Sequence, residues 1–238
     1  MISKQLRASP VSGGRRRAPA ARRQRIFIVE DHPVFREGLR QILSGEADLE
    51  ICGVAGSAEL ALPSIANLQP DLALVDISLP GKSGIDLIRK IRARKLQVKL
   101  LVVSMHDEAL YAARVLRAGG DGYIMKEEDP AEIIQAIHDV LAGRIYVSEE
   151  VLATRPSKAA AKPASRPEPR LLSQLTDTEL EILQWLGQRR SRRAIASALS
   201  LTPRALAAQC THIRRKLNLP TDAALTRRAG ELVASPAP

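Results

Sequence analysis

A chain of 238 residues, 45% hydrophobic and 26% charged, has the length of one large domain or two small ones and enough apolar content to pack a core. Aromatic residues make up only 3%, which argues against modules that stack bases on exposed rings; no apolar run approaches ~18 residues and no apolar leader opens the chain, so a cytoplasmic protein without a membrane partner is expected. The net charge of +10 divides into +7 over residues 1–24, −6 over 25–150 and +9 over 151–238, an acidic body between ends suited to a polyanion.

Residues 1–24 mix Ser, Gly, Pro, Ala and Arg without periodicity and read as a disordered basic tail, either inert or adding nonspecific affinity for DNA. From Arg25, β-rich runs alternate with helical spacing. Strands are predicted at Arg25–Glu30, Leu49–Ala55, Leu72–Asp76, Lys99–Ser104 and Gly122–Met125. Helices are predicted at Pro33–Ser44, Ser57–Leu68, Gly84–Arg94, Asp107–Ala118 and Pro130–Ala142. The strands are nearly all apolar, as in a sheet buried on both faces. The fold class is therefore α/β, a doubly wound five-stranded parallel sheet. Cys52 reads as a core residue of the second strand; with Cys210 far away, neither a disulfide framework nor a zinc site is indicated. A Pro-, Ala- and Arg-rich linker spans 148–172. Beyond it come four short helices, 177–187, 192–199, 203–217 and 222–233, with N-cap signals at Thr176 (Glu179 completing a capping box), Ser191 and Thr202 before Pro203.

In parallel sheets, ligands sit outside the carboxyl ends of the strands. Those ends carry Glu30 and Asp31, Asp76, Ser104 and, just after the fifth strand, Lys126. Clustered carboxylates repel unless a cation joins them, and an all-oxygen set suits Mg²⁺. A hard divalent ion beside a lysine fits phosphoryl transfer, with the central Asp76 as nucleophile forming an acyl phosphate. Any one of these acids alone would read as a solvated loop charge, and Tyr123 alone as a core aromatic; four groups at successive strand ends do not fit that reading. His32 and His106 lack metal-ligand spacing and read as loop or surface residues.

The stretches VEDHPVFREGLR, DISLPGKSGIDLI and GYIMKEEDPAEIIQAI, with Ser104, resemble the receiver domain of two-component response regulators over residues 25–147. The resemblance implies a flavodoxin-like domain whose Asp76 accepts phosphate from a histidine kinase. It further implies Mg²⁺ held by Glu30, Asp31, Asp76 and the Ser78 carbonyl, phosphoryl contacts from Ser104 and Lys126, and an inward-turning Tyr123. The segments LTDTELEILQWLGQ, AIASALSLTPRAL and HIRRKLNL resemble the LuxR-type helix-turn-helix domain, here 173–238, which completes the NarL/FixJ architecture. Its core would be Leu180, Leu183, Trp185, Ile195, Ala196, Leu199, Leu201, Leu206, Ile213 and Leu217.

That resemblance implies double-stranded DNA as partner and a homodimer, on phosphorylation, through the last helix. The DNA-contacting candidates are Ala207, Ala208, Gln209 and Thr211 for bases, with Arg192, Arg193, Arg204, Arg214, Arg215 and Lys216 for phosphates. Ala207 and Gln209 stand where the family usually has Lys and His, which predicts an unusual or relaxed site preference: alanines can touch thymine methyls and Gln209 can pair with adenine. Arg189 replaces the usual turn glycine, which predicts a differently built helix end. Two rival classes remain. One is a protein-binding adaptor whose helix-turn-helix has lost base reading; the other is a metal-dependent phosphatase, disfavoured because Ser78 occupies the place of its second acid.

Overall fold

The computed structural model describes residues 22–148, 151, 172, 174–199 and 201–234. The basic tail up to residue 21 and all but Ser148, Val151 and Leu172 of the expected linker lie outside the described residues. The order is β1 (Gln24–Val29), α1 (Pro33–Ser44), β2 (Leu49–Ala55), α2 (Ala58–Leu68), β3 (Leu72–Val75), α3 (Gly84–Ala93), β4 (Lys99–Ser104), α4 (Glu108–Ala118), β5 (Gly122–Met125) and α5 (Pro130–Leu141). Four further helices follow: α6 (Asp177–Gly187), α7 (Arg192–Ala198), α8 (Pro203–Lys216) and α9 (Asp222–Ala234).

The five strands form one parallel sheet in the order β2-β1-β3-β4-β5. Alternation within each strand divides the core. Ile26, Ile28, Leu72, Leu74, Leu101 and Val103 face α1 and α5. Phe27, Val29, Ala73, Val75, Leu100 and Val102 belong to the core with α2, α3 and α4. Both faces are buried along most of β1, β3, β4 and β5, which is why these strands are nearly all apolar, whereas the edge strand β2 exposes Glu50 and Val54. Strand order reverses between β1 and β3, so the residues leaving their carboxyl ends flank a crevice. Cys52 corrects the sequence reading: the β1–β2 register skips it, pairing Ile26 with Ile51 and Phe27 with Gly53. It sits in a bulge, half-buried at the edge of the core, its thiol 3.4 Å from the Ile26 carbonyl.

The C-terminal helices are capped as their sequence requires. Thr176 and Glu179 form a reciprocal capping box, and Ser191 and Thr202 accept the amides of Ala194 and Ala205. The core named from sequence assembles around Leu180, Leu183, Ile195, Leu206 and Ile213, with Leu201 and Leu217 at its margin and α9 closing it through Leu225 and Ala229. The Trp185 ring is buried against this core under the Arg190 guanidinium. The end of α6 departs from expectation. Arg189 itself takes the left-handed conformation, φ 58°, and the Arg189 and Arg190 amides bond the Leu186 and Trp185 carbonyls. The glycine is gone, but the turn that glycine serves is kept, at a cost in backbone strain.

Gly84 opens α3 under the tightest constraint. A Cβ there would lie 2.0 Å from the Asp76 carbonyl oxygen, while the Gly84 amide bonds the Ile77 carbonyl at 2.8 Å. Gly84→Ala is expected to cost about 1–3 kcal/mol and to shift Asp76, read as a lower denaturant midpoint; an unchanged midpoint contradicts the assignment.

Candidate functional site

At the crevice, the turn after β1 brings in Glu30 and Asp31, the end of β3 brings Asp76, and the residue after β5 brings Lys126. The Lys126 ammonium lies 2.6 Å from Glu30 Oε2 and 2.8 Å from Asp76 Oδ2, with all three side chains at most 5% exposed. Its other side meets the Phe35 ring, 4.6 Å from the centroid. Burial and the neighbouring Asp76 carboxylate raise the Glu30 carboxyl, against the pull of Lys126. Burial alone would lower the Lys126 ammonium, but Asp76 and Glu30 outweigh it and raise it. The charged form of the lysine is thus held by the acids it joins.

Glu30, Asp31, His32 and Asp76 each offer a ligand atom within 4.8 Å of the others. His32 is exposed, as the sequence suggested, yet its Nδ1 lies 3.1 Å from Asp31 Oδ1 and 3.3 Å from Glu30 Oε1, so the turn after β1 brings it to the acids. Apart from this approach of His32, Asp31 Oδ1 is buried without a hydrogen bond. A buried carboxylate oxygen without a hydrogen bond beside two further carboxylates is a donor set that fits a hard divalent cation.

Ser104 ends β4 fully buried, its hydroxyl accepting the His106 amide at 3.3 Å. Tyr123 is turned inward, its hydroxyl donating to the His106 carbonyl at 2.6 Å, and burial pushes its phenol well up. His106 is a correction: it is buried, not superficial. Its ring stacks on Tyr111 at 4.8 Å, and Nε2 meets the Ser78 hydroxyl at 2.7 Å. Burial lowers the imidazole, which favours the neutral ring. That ring is covered because α6 lies over it, which no local pattern around His106 foretells.

On α8, Arg204, Ala207, Ala208, His212 and Arg215 are exposed, Gln209 and Thr211 half-buried, and Leu206, Cys210 and Ile213 buried in the core. Not all the expected phosphate-contacting side chains are unengaged. Arg192 and Arg214 both pair with Asp222, tying α7 and α8 to α9, and Lys216 pairs with the buried Glu179 at 2.5 Å. Arg193 is exposed and, like Arg204 and Arg215, has no ion pair among the described residues.

Residues 26–138 match the response regulator receiver domain, and residues 173–229 match bacterial regulatory proteins of the luxR family. The nitrate/nitrite response regulator protein NarL of Escherichia coli (strain K12) is 32% identical over 197 residues, 82% of this chain and 89% of that protein. The chain is a NarL/FixJ-family response regulator. The crystal structure of a LuxR-family two-component response regulator from Aurantimonas sp. SI85-9A1 superposes with a TM-score of 0.52 at 34% identity, covering 55% of this chain and 94% of that one. The Salmonella typhimurium RcsB response regulator shares the fold, with a TM-score of 0.62 at 20% identity over 89% of this chain and 98% of its own. Family membership makes the chain a phosphorylation-driven, DNA-binding transcriptional regulator and not an enzyme, so the phosphatase reading lapses. Among the described residues no helix is long and apolar enough to cross a membrane.

In this response regulator, the N-terminal end of α6 docks on the receiver beside the acidic pocket. The Ser78 hydroxyl donates to Glu181 Oε1 at 2.7 Å and accepts from His106, which requires the imidazole proton on Nε2. Burial pushes the Glu181 carboxyl up to about 7, with the Ser78 hydrogen bond opposing. Asp177 is held by Arg114 at 3.2 Å and Arg89 at 2.8 Å, and Arg114 also donates to the Leu175 and Leu172 carbonyls. Sequence reading missed Phe35, Arg89, Arg114, Asp177 and Glu181. The available signal was in α6: Glu181 stands between Leu180 and Ile182, an acid inside an apolar stretch that must find a partner if buried.

Glu179 yields a pH prediction. Burial raises its carboxyl, but Lys216 and Thr176 outweigh burial and hold it below its ordinary value. The contribution of the pair is therefore complete above the ordinary carboxylate range and is lost as pH falls through the lowered folded value. Lys216→Met is expected to cost about 1–2 kcal/mol at neutral pH, and its Tm deficit against wild type should shrink on acidification. A deficit independent of pH contradicts the pairing.

Proposed function

We propose that the switch is an acyl phosphate on Asp76, donated by a histidine kinase, and that it governs DNA binding by a C-terminal domain beginning near residue 173. The observation that carries this reading is the lysine-bridged carboxylate pair at the topological switch point. An Asp76 carboxylate oxygen attacks phosphorus, the P–N bond to the donor imidazole breaks, and the new acyl phosphate adds negative charge where Lys126 already lies 2.8 Å away. Lys126 then shares its protons with phosphoryl oxygens, the Ser104 hydroxyl is free to donate to them, and Tyr123 is the aromatic that responds to Ser104. Glu30, Asp31, Asp76 and the Ser78 carbonyl would hold Mg²⁺, consistent with the unbonded Asp31 Oδ1. When bound, the ion neutralises the charge of the transferring phosphoryl group.

Ser78 couples pocket to output. Its amide lies 3.4 Å from Asp76 Oδ1 while its hydroxyl holds Glu181. Modifying Asp76 re-aims this loop, weakens the Ser78–Glu181 bond and frees the C-terminal domain to pair with a second copy through α9. Two joined domains gain affinity for paired half-sites beyond what one achieves. Arg193, Arg204 and Arg215 supply phosphate contacts, and Arg192, Arg214 and Lys216 serve chiefly to hold α7–α9 and α6–α8 together.

Labelling with a small phosphodonor in the presence of Mg²⁺ tests the first step: wild type is expected to take up phosphate and to bind DNA more tightly, and Asp76→Asn to do neither. Equal labelling of both proteins removes Asp76 from the mechanism. Docking is tested by Arg114→Ala, which strips the bonds to Asp177 and to the Leu172 and Leu175 carbonyls. The unphosphorylated variant is expected to show a larger radius of gyration by X-ray scattering and several-fold tighter DNA binding than unphosphorylated wild type. Identical scattering and affinity would mean that α6 is not the restraint.

A further inference from the structure

We propose that α8 selects its DNA through thymine methyl groups, with Ala207, Ala208 and Thr211 as the residues that read them. The inference rests on the DNA-binding reading above and deepens it. At 3.6 residues per turn, Arg204, Ala208, Thr211 and Arg215 fall within an arc of about 60°, exposed Ala207 and His212 border it on opposite sides, and buried Leu206, Cys210 and Ile213 lie on the far side. The accessible centre of the helix therefore carries methyl groups between two guanidinium groups. The Thr211 hydroxyl donates its proton to the Ala207 carbonyl at 3.1 Å, so toward a base it offers its methyl group and an acceptor oxygen but no donor.

Gln209, the side chain able to pair with adenine, stands about 140° round the helix from Arg204, toward buried Leu206 and Ile213, so it belongs to the flank of α8 and not to its reading face. The adenine contact allowed by sequence is thereby withdrawn, while the thymine contact is kept. In the major groove the one base-edge feature of standard DNA that a methyl group recognises is the thymine C5-methyl. Arg204 and Arg215 have no ion pair among the described residues and lie about 16 Å apart along the axis, spaced to anchor on phosphates at either side of a groove about 12 Å wide. Small side chains between them let the helix approach the groove floor closely.

The test changes the DNA and leaves the protein intact. Duplexes selected by the full chain from a randomised pool are resynthesised with deoxyuridine in place of thymine at single positions, which deletes only the methyl. Thymine steps in the selected half-sites, each losing about fourfold in affinity when the methyl is deleted, are the expected result. In Ala208→Ser, which keeps the helix but places a hydroxyl at the contact, the thymine/deoxyuridine difference should shrink. Selected sites in which deoxyuridine binds as well as thymine overturn the proposal, as does a pool that stays unenriched while the protein still binds duplex nonspecifically. Failure to bind any duplex at low salt would overturn the DNA-binding reading along with it.

Discussion

Glu30 and Asp76 are two carboxylates held out of water at the seam of a parallel sheet, and one ammonium, from Lys126, lies against both. Removing that ammonium would leave adjacent buried anions, an arrangement that costs several kcal/mol in other proteins. Much of the surrounding architecture serves this contact. The β1–β3 reversal brings the acids together, β5 delivers the lysine, and Phe35 closes over it. Gly84 lets α3 start close enough that the Asp76 backbone has no room to drift. Under the proposed mechanism, a phosphoryl group on Asp76 becomes a further claimant on an ammonium that already serves two carboxylates.

Short links join the pocket to the second domain. Ser78 touches Asp76 with its amide and Glu181 with its hydroxyl, and the His106 ring and carbonyl join Ser78 to Tyr123. The interface is polar at its centre, and within it the Tyr111 hydroxyl and Gln184 Oε1 are buried without partners. Incomplete satisfaction limits how firmly the two domains hold each other. The proposed release of the C-terminal domain is served by that weakness, whereas an apolar interface of equal extent would hold too well.

What the sequence made legible followed from local physics. Short, largely apolar runs between helical segments marked the strands, and their ends marked Glu30, Asp31, Asp76, Ser104 and Lys126. Thr176, Ser191 and Thr202 marked helix starts to the residue because capping is a matter of a few neighbouring atoms. Non-local facts escaped. His106 looks like a loop residue until α6 covers it, and Arg114 looks like an ordinary helix-surface arginine until Asp177 arrives from 63 residues away. Cys52 reads as a strand core residue because a bulge is a property of two strands together. Arg189 shows the opposite limit: the missing glycine suggested a changed turn, but the surrounding helices hold an arginine in the same left-handed backbone.

The α6 helix turns its leucines toward α8 and α9 and offers Asp177, Glu181 and Gln184 to the neighbouring domain. The face of α6 that meets the receiver therefore carries carboxylates among its apolar contacts. Those same anions repel a phosphodiester backbone, leaving the arginine-bearing flank of α8 as the side on which a duplex can settle.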